Sequence, residues 1–319
     1  MASAPRPEGE SQVLITAEVV REAGPRPPQP PRHTWQRFFL ALLALVLFGS
    51  ISLNFVLLAI SGLGALSVLG ETDRKVQEKY VSHNRSARDK VAIISIEGVI
   101  LAAEDGFVKH QIDRVMEDEN VKAVVLRIDS PGGSISGSDY LYYHLRQLAK
   151  KREIPIVVSM GSIAASGGYY VSMAAGDTPD VLFAEPTCFT GSIGVIIPHY
   201  DLSALMEKVG AQENSIVSHP LKDMGSMSRP MTQQERKIFQ ALVDDGFTRF
   251  KDIVKSGRAN FRKDPAALEK LATGQVFAAE QARRNGLVDQ IGFIEDAVDR
   301  AIVLANLDKE QVKVVKYKA

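Results

Sequence analysis

Ser166 stands out among the hydroxyl side chains because small residues surround it in the stretch 161-GSIAASGGYY-170. The residues before it, 155-PIVVSM-160, are typical of a buried strand, and those from Tyr169 onward are typical of a helix. A serine at the start of a helix exposes its hydroxyl beside backbone N–H groups that can stabilise an oxyanion. The stretch therefore predicts either a nucleophile or an ordinary tight turn.

A second pair of glycines has the same placement. The stretch 127-RIDSPGGSISGSD-139 follows one predicted strand and precedes a predicted helix. Gly132 and Gly133 would let a backbone N–H approach a bound group closely, as an oxyanion site requires. Ser-Pro-Gly-Gly is also good turn chemistry, so this motif alone leaves both interpretations open. The amide of Gly167, directly after Ser166, is a second candidate donor on geometric grounds.

A serine nucleophile needs a base that accepts its proton, and the chain offers histidines and lysines. Three of the six histidines, His144, His199 and His219, are candidates by position, but their neighbours do not suggest a catalytic base. A lysine can serve if its pKa falls from ~10.4 toward neutrality, and desolvation in an apolar pocket has that effect. The base is therefore a choice between one of these histidines and a lysine.

Lys222 differs from the other lysines because it lies among small and apolar residues in 216-IVSHPLKDMGSMSRP-230. The neighbouring carboxylate of Asp223 would oppose deprotonation, but adjacent side chains of an extended segment point to opposite faces. Ser192 lies between glycines in 190-TGSIGVIIP-198, at the head of a predicted strand, where it could hydrogen-bond a neutral amine. Taken alone, Ser192 would be an ordinary turn serine.

Alternating strands and helices would position these residues. Apolar stretches rich in β-branched residues predict buried strands over 91–96, 121–128, 155–160 and 181–185. Amphipathic spacing predicts helices over 107–119, 138–151 and 232–257. The last begins at Thr232 as N-cap, with Glu235 as its capping-box partner. This alternation predicts an α/β domain with crossover connections.

The N-terminal seventy residues predict a membrane anchor. Within the segment 37–70 no charged residue follows Arg37, and about 20 apolar residues suffice to span a bilayer. Residues 1–36 are rich in proline and predict a disordered tail, which is too long for the charged region of a signal peptide. Three basic residues precede the apolar run and two follow it, which predicts a cytoplasmic N-terminus and an extracytoplasmic domain. Residues 71–89 predict a polar stalk.

Charge and cysteine content exclude several classes of function. The chain has 319 residues with 38 Lys and Arg against 38 Asp and Glu, so nothing indicates a nucleic-acid partner. The single cysteine, Cys188, excludes an intrachain disulfide and a cysteine-based metal cluster. Serine chemistry of the kind outlined above requires no metal, nucleotide or coenzyme.

In combination, four stretches resemble the signal peptide peptidase SppA (protease IV) family in its short, single-domain membrane-anchored form. They are "RIDSPGG", "SMGSIAASGGYY", "TGSIGV" and "LKDMGSMSRPMTQQER", in this order. The resemblance covers residues 90–305 and leaves 306–319 as a C-terminal tail. It implies a Clp-protease/crotonase-like fold of stacked β-β-α units, a Ser/Lys dyad, and cleavage of remnant signal peptides in the plasma (inner) membrane.

The resemblance also assigns roles to individual residues. It matches Ser166 to the nucleophile, Lys222 to the general base, Gly133 to an oxyanion-hole amide and Ser192 to the hydroxyl that supports the lysine. It implies a homo-oligomeric ring or dome, and peptides that bind extended against shallow apolar pockets. Two alternatives remain: a non-catalytic membrane scaffold, and a crotonase-type acyl-CoA enzyme that would hold a thioester enolate with the same amides.

Overall fold

A computed structural model describes residues 38–54, 76–101 and 106–318. The chain divides into two compact units, Met1–Asp73 and Arg74–Ala319. In the first unit, residues 38–54 form helix α1. Across the described ranges, we find no helix that combines the length and the apolar character needed to span a bilayer. Part of the predicted transmembrane segment 37–70 and the whole predicted tail 1–36 lie outside the described residues, so both stay predictions.

The second unit is built around a sheet of nine described strands. They are β1 (Gln77–His83), β2 (Asp89–Ile100), β3 (Val121–Gly133), β4 (Ile156–Ala165), β5 (Leu182–Ala184), β6 (Phe189–Gly191), β7 (Val276–Ala278), β8 (Gln290–Ile291) and β9 (Val312–Lys318). The order across the sheet is β1-β9-β2-β3-β4-β5-β8, and β6 pairs with both β4 and β7. The pairs β1–β9 and β6–β7 are antiparallel, and the remaining described pairs are parallel.

Helices cover this sheet. They are α2 (Phe107–Glu117), α3 (Ile135–Arg152), α4 (Gly167–Ser172), α5 (Ser203–Lys208), α6 (Gln233–Gly257), α7 (Ala259–Lys263), α8 (Pro265–Leu271), α9 (Ala279–Arg284) and α10 (Ile294–Leu304). Helices α3 and α4 pack on each other, while α4 and α10 pack on β3 and β4. Because helices bury the sheet, the central strands are apolar at consecutive positions, as in Val124–Leu126, which is fully buried. The predicted α/β class is confirmed, whereas the arrangement in stacked β-β-α units stays a prediction.

Two strands come from stretches that the sequence analysis places outside the domain. Strand β1 lies in the predicted stalk 71–89, and β9 lies in the predicted tail 306–319. Strand β9 inserts between β1 and β2 and buries its valines, but lysines interrupt them and hide the apolar pattern. Strand β1 is at the edge of the sheet with most of its residues exposed, so its composition is polar.

The predicted strands and loops around the glycine motifs also need correction. The apolar strand predicted to begin at Ser192 is wrong, because β6 ends at Gly191 and Ser192 has a φ of +51°, which an extended strand does not allow. In contrast, the Ser-Pro-Gly-Gly stretch continues β3 and is no separate turn. The long helix predicted from Thr232 is confirmed as α6, with its capping box formed by Thr232 and Glu235.

Candidate active site

Ser166 lies at the junction between β4 and α4 in a strained backbone conformation. Its φ of +52° and ψ of −118° are rarely adopted by residues other than glycine. Two hydrogen bonds hold it there: the Ser166 N–H donates to the Gly191 carbonyl, and the Tyr170 N–H donates to the Ser166 carbonyl, both at 2.9 Å. The half-buried side chain of Ser166 is therefore fixed at the N-terminal end of a helix, where the sequence predicts it.

Three glycines allow the backbone to pack against Ser166. A Cβ atom on Gly132 would lie 2.9 Å from the Ser166 Cβ and 2.5 Å from the Gly167 amide nitrogen. A Cβ atom on Gly167 would lie 3.2 Å from the Gly133 amide nitrogen and would collide with Ser138 Oγ. A Cβ atom on Gly133 would overlap the carbonyl of the last residue of β2. The amides of Gly133 and Gly167 consequently lie close together beside the serine.

A cavity of about 90 Å³ opens beside Ser166 and both of these glycines. Its walls include the apolar side chains of Ile135, Val195 and Phe250, and Gly246 of α6 forms part of its lining. Since one water molecule occupies roughly 30 Å³ in the liquid, this volume suits a small aliphatic side chain. The cavity could therefore hold a substrate side chain next to the nucleophile.

Tyr170 lines the same cavity and connects three helices. Its hydroxyl donates to Asp139 Oδ1 at 2.5 Å, and Arg249 of α6 donates to both oxygens of Asp139, at 2.6 and 2.8 Å. Burial raises the pKa of Tyr170, and the Asp139 carboxylate raises it further, so the phenol stays a neutral donor. This group was not predicted from the sequence. A signal was present, because Tyr170 lies one helical turn after Ser166 and so shares its helix face.

Ser192 follows directly on the backbone that supports Ser166. In the pairing of β4 with β6, Ala165 is opposite Gly191, and the Gly191 carbonyl accepts the Ser166 N–H. The Ser192 N–H donates to the Gln275 carbonyl at 2.8 Å, which holds Ser192 in its left-handed conformation. Ser166 and Ser192 thus directly follow Ala165 and Gly191, the paired last residues of β4 and β6.

The structure does not bring Lys222 into the cavity. Lys222 is exposed, and among the described residues that line the cavity it does not occur. Its neighbour Asp223 pairs with Arg229 at 2.9 Å, and Arg229 pairs with Glu235 in the first turn of α6 at 2.6 Å. Gly246, where α6 reaches the cavity, is about 16 Å farther along the helix axis. In the single chain, Lys222 is thus exposed and lies outside the described lining of the cavity beside Ser166.

Arg229 also fixes the charge of Glu235. Hydrogen bonds from the Arg229 guanidinium, and then from the Thr232 N–H, hold the pKa of Glu235 at about 2, against an ordinary value near 4.5. The capping box was predicted from the sequence, whereas the Asp223–Arg229–Glu235 chain of ion pairs was missed. It anchors the segment that carries Lys222 to the start of α6.

The three candidate histidines lie apart from the described lining of the cavity. Burial lowers the pKa of His144, whose ring packs against those of Tyr140 and Tyr143. His199 Nε2 lies 3.3 Å from the Ser226 carbonyl oxygen, and His219 Nδ1 accepts a backbone N–H two residues on. Each histidine has a local structural partner, so none of them gains support as the base.

Comparison with known proteins identifies relatives that cover more than half of the chain. The model of Peptidase family S49 matches residues 148–308, which include Ser166, Ser192 and Lys222. A protein of Synechocystis sp. named "Putative protease slr0021" is 38% identical over 231 residues, which cover 72% of this chain and 79% of that protein.

Longer relatives match over a smaller share of their length. "Protease 4" of Haemophilus influenzae is 33% identical over 225 residues, covering 68% of this chain and 35% of the relative. "Serine protease SPPA, chloroplastic" of Arabidopsis thaliana is 31% identical over 242 residues, covering 72% of this chain and 34% of the relative. The chain thus spans about a third of the length of these two proteins.

Proposed function

The chain belongs to peptidase family S49, a family of serine peptidases, and from this premise we propose a membrane-anchored endopeptidase that uses Ser166 and Lys222 as its dyad. Its substrates are remnant signal peptides and other membrane-associated peptides. The observation that carries the proposal is the strained Ser166 at the start of α4, with the amides of Gly133 and Gly167 beside it. Strained backbone conformations of this kind cluster at active sites.

The reaction follows from the position of these groups. Neutral Lys222 accepts the Ser166 proton while the hydroxyl oxygen attacks a peptide carbonyl carbon. The amides of Gly133 and Gly167 donate hydrogen bonds to the oxyanion that develops. Lys222 then protonates the leaving amine, Ser192 orients the lysine, and water hydrolyses the acyl-enzyme. The cavity beside Ser166 holds the substrate side chain that precedes the cleaved bond.

A second copy of the chain completes the dyad in this proposal. A lysine acts as a base only when neutral, and desolvation favours that state, yet Lys222 is exposed in the single chain. The preceding residues, 196–217, expose the apolar side chains of Ile196, Tyr200 and Ile216, among others. Exposed apolar surface of this kind is typical of a protein interface. A homo-oligomer that covers this surface would bury Lys222 against Ser166 of the neighbouring copy.

Membrane anchoring is part of the proposal and is supported by the sequence. The run from residue 38 to residue 70 contains no charged side chain, and its first 17 residues are the described helix α1. The basic residues before the run favour a cytoplasmic N-terminus and a peptidase domain on the opposite side of the plasma membrane. An anchored enzyme meets peptides that lie in the same bilayer.

Hydrolysis of a fluorogenic peptide derived from a signal sequence tests the dyad. The full chain in detergent should cleave it, and both Ser166→Ala and Lys222→Ala should reduce kcat at least about 10³-fold, since a nucleophile and its base act as a unit. His199→Ala serves as the control and should keep its activity. A fluorophosphonate probe should label the wild type at Ser166, which neither a scaffold nor an acyl-CoA enzyme would predict. Activity that survives Lys222→Ala but is lost in a histidine variant would overturn the choice of base.

A further inference from the structure

The strand that carries Ser166 has a bulge shortly before the serine. The pairing of β3 with β4 shifts between Ile128 and Ser130, so that the single residue Asp129 of β3 faces residues 161–163 of β4. Within the same stretch, β4 exchanges its partner on the other side, from β5 to β6. The additional residues of a bulge lose regular ladder partners and redirect the strand. The direction in which β4 reaches Ser166 is therefore decided at this bulge.

Asp129 supplies the partners that the bulge lacks. Its Oδ1 atom accepts the Ser162 hydroxyl at 2.6 Å and the Ile163 N–H at 3.3 Å. Its Oδ2 atom lies beside Gly161, where a Cβ atom would be only 2.9 Å away. The bulged residues thus wrap around one carboxylate, and a side chain in place of Gly161 would have to shift the ends of the Asp129 and Arg127 side chains.

Arg127 fixes the other side of the bulge. It points to the same face of β3 as Asp129, since side chains alternate along a strand. It donates to Ser159 Oγ at 2.9 Å and pairs with Glu185, just after β5, at 2.6 Å. One of its nitrogens also lies 2.9 Å from the position of a Cβ atom on Gly161. The bulge is consequently held between two side chains of β3.

The bulge connects the two halves of the reaction site. Asp129 belongs to the strand that ends at Gly133, so it moves with the proposed oxyanion amide. Ser162 and Ile163 belong to the strand that leads to Ser166. On the side of β4 that faces away from β3, the Thr190 hydroxyl donates to the Ala164 carbonyl at 2.6 Å. This hydrogen bond joins β4 to β6 and does not involve β3. Asp129 therefore links the nucleophile strand to the oxyanion strand by hydrogen bonds.

We propose that Asp129 is a positioning residue of the peptidase reaction, which holds the bulge of β4 so that Ser166 stays aligned with the Gly133 amide. The hydrogen bonds described for Asp129 go to Ser162 and Ile163, three or more residues before Ser166, so Asp129 acts on the nucleophile through the strand. The inference rests on the proposed function, since it assumes that Ser166 is the nucleophile.

The test compares Asp129→Ala with Asp129→Asn in the full chain in detergent. The measurements are the rate at which a fluorophosphonate labels Ser166, kcat and KM for a signal-sequence peptide, and Tm. Asp129→Ala should lower the labelling rate and kcat at least about tenfold, because a misplacement near 1 Å can cost more than that, and KM should change less than about twofold. Asp129→Asn keeps an oxygen acceptor for Ser162 and Ile163 and should recover most of both rates.

A matched control separates positioning from general destabilisation. Asp308 also accepts one backbone N–H, that of Glu310 at 2.9 Å, but it lies before β9, which β2 separates from β3 in the sheet. Asp308→Ala should lower Tm slightly and leave the labelling rate unchanged. Equal labelling rates in wild type and Asp129→Ala, or equal losses in Asp129→Ala and Asp308→Ala at equal Tm, would overturn the inference. A wild type that the probe does not label at Ser166 would instead contradict the proposed function.

Discussion

Ser166 occupies a conformation that its own side chain disfavours. A residue other than glycine at such dihedral angles costs about 1–3 kcal/mol, and the surrounding structure must offset this cost. The carbonyl of Gly191 and the N–H of Tyr170 do so from two different elements, β6 and α4. Strain of this kind persists at functional sites because it aims a side chain that a relaxed turn would point elsewhere.

The strain at Ser166 predicts that glycine and alanine are not equivalent replacements there. Both Ser166→Gly and Ser166→Ala remove the hydroxyl and should abolish hydrolysis. Ser166→Gly should nevertheless be more stable than Ser166→Ala by about 1 kcal/mol, because glycine adopts positive φ without steric cost. Tm of the two inactive variants, measured side by side, checks this expectation. A Ser166→Ala variant with the higher Tm would contradict it.

Adding one methyl group to the lining of the cavity beside Ser166, at Gly246, should change the substrate preference. A Cβ atom on Gly246 would lie 3.4 Å from Ile135 Cδ1 and 3.6 Å from Val195 Cγ2, so alanine fits and narrows the space. Gly246→Ala should raise stability by up to about 1 kcal/mol, because alanine is the better helix former. It should lower kcat/KM for a peptide with leucine before the cleaved bond and spare one with alanine. Equal losses for both peptides would argue that this cavity does not hold that side chain.

At the scale of elements, α6 serves two separate regions of the domain. Its first turn is tied through Glu235 and Arg229 to the segment of Lys222, and its second half contributes Gly246 and Phe250 to the cavity. Strands β3 and β4 also contribute to different parts of the reaction site. Strand β3 ends at Gly133, and β4 ends at Ala165, directly before Ser166. The elements are therefore placed so that small shifts between them change the site.

The ion pair at the start of α6 predicts a stability that depends on pH. The pKa of Glu235 is held at about 2, below its ordinary value near 4.5, by hydrogen bonds from Arg229 and then Thr232. Its stabilising contribution is thus fully present above pH 4.5 and is lost as the pH falls toward 2. Glu235→Gln should lower Tm at pH 7, and the difference from wild type should disappear near pH 2. Glu269→Gln, which removes an exposed pair with Lys251, is the control and should change Tm little at any pH.

For the whole molecule, the exposure of Lys222 in the single chain has a direct consequence. If each site combines Ser166 of one copy with Lys222 of another, a site in a mixed assembly can be complete although neither of its two copies has both residues intact. The exposed apolar residues at 196–217 provide the surface on which such an assembly would form. The second unit alone would then hold every group of the reaction without being active as a monomer.

Mixing two inactive variants tests this arrangement. Ser166→Ala and Lys222→Ala, dissociated together and reassembled in equal amounts, should regain up to about a quarter of wild-type activity, because one site in four pairs an intact serine with an intact lysine. Ser166→Ala mixed with a Ser166→Ala/Lys222→Ala double variant is the inactive control. No recovery, in a mixture shown to contain hetero-oligomers, would mean that both residues act within one chain.

The proposed anchor predicts how the protein behaves in membranes. The full chain should stay in the membrane pellet after washing with alkaline carbonate, because residues 38–70 are apolar enough to remain in the bilayer. A variant that starts at residue 71 should appear in the supernatant. Release of the full chain by the same wash would contradict a transmembrane anchor.

The sequence by itself determined the features that neighbouring residues produce. Apolar runs marked the central strands, and amphipathic spacing together with the capping box marked α6, because a local pattern is sufficient for each. Small residues around Ser166 marked the strand-to-helix junction for the same reason. The family resemblance depended likewise on short motifs and their order, which need no knowledge of three-dimensional contacts.

Only the tertiary structure decided which distant residues meet. The sheet acquired β9 because its valines pack between two other strands, although lysines disguise the pattern. Asp129 contacts Ser162 because the fold places it opposite the bulge of β4. Tyr170 contacts Asp139 because the fold packs α4 against α3. Ion pairs join Asp223, next to Lys222, through Arg229 to Glu235 at the start of α6. Such contacts join residues far apart in the chain, and local sequence cannot specify them.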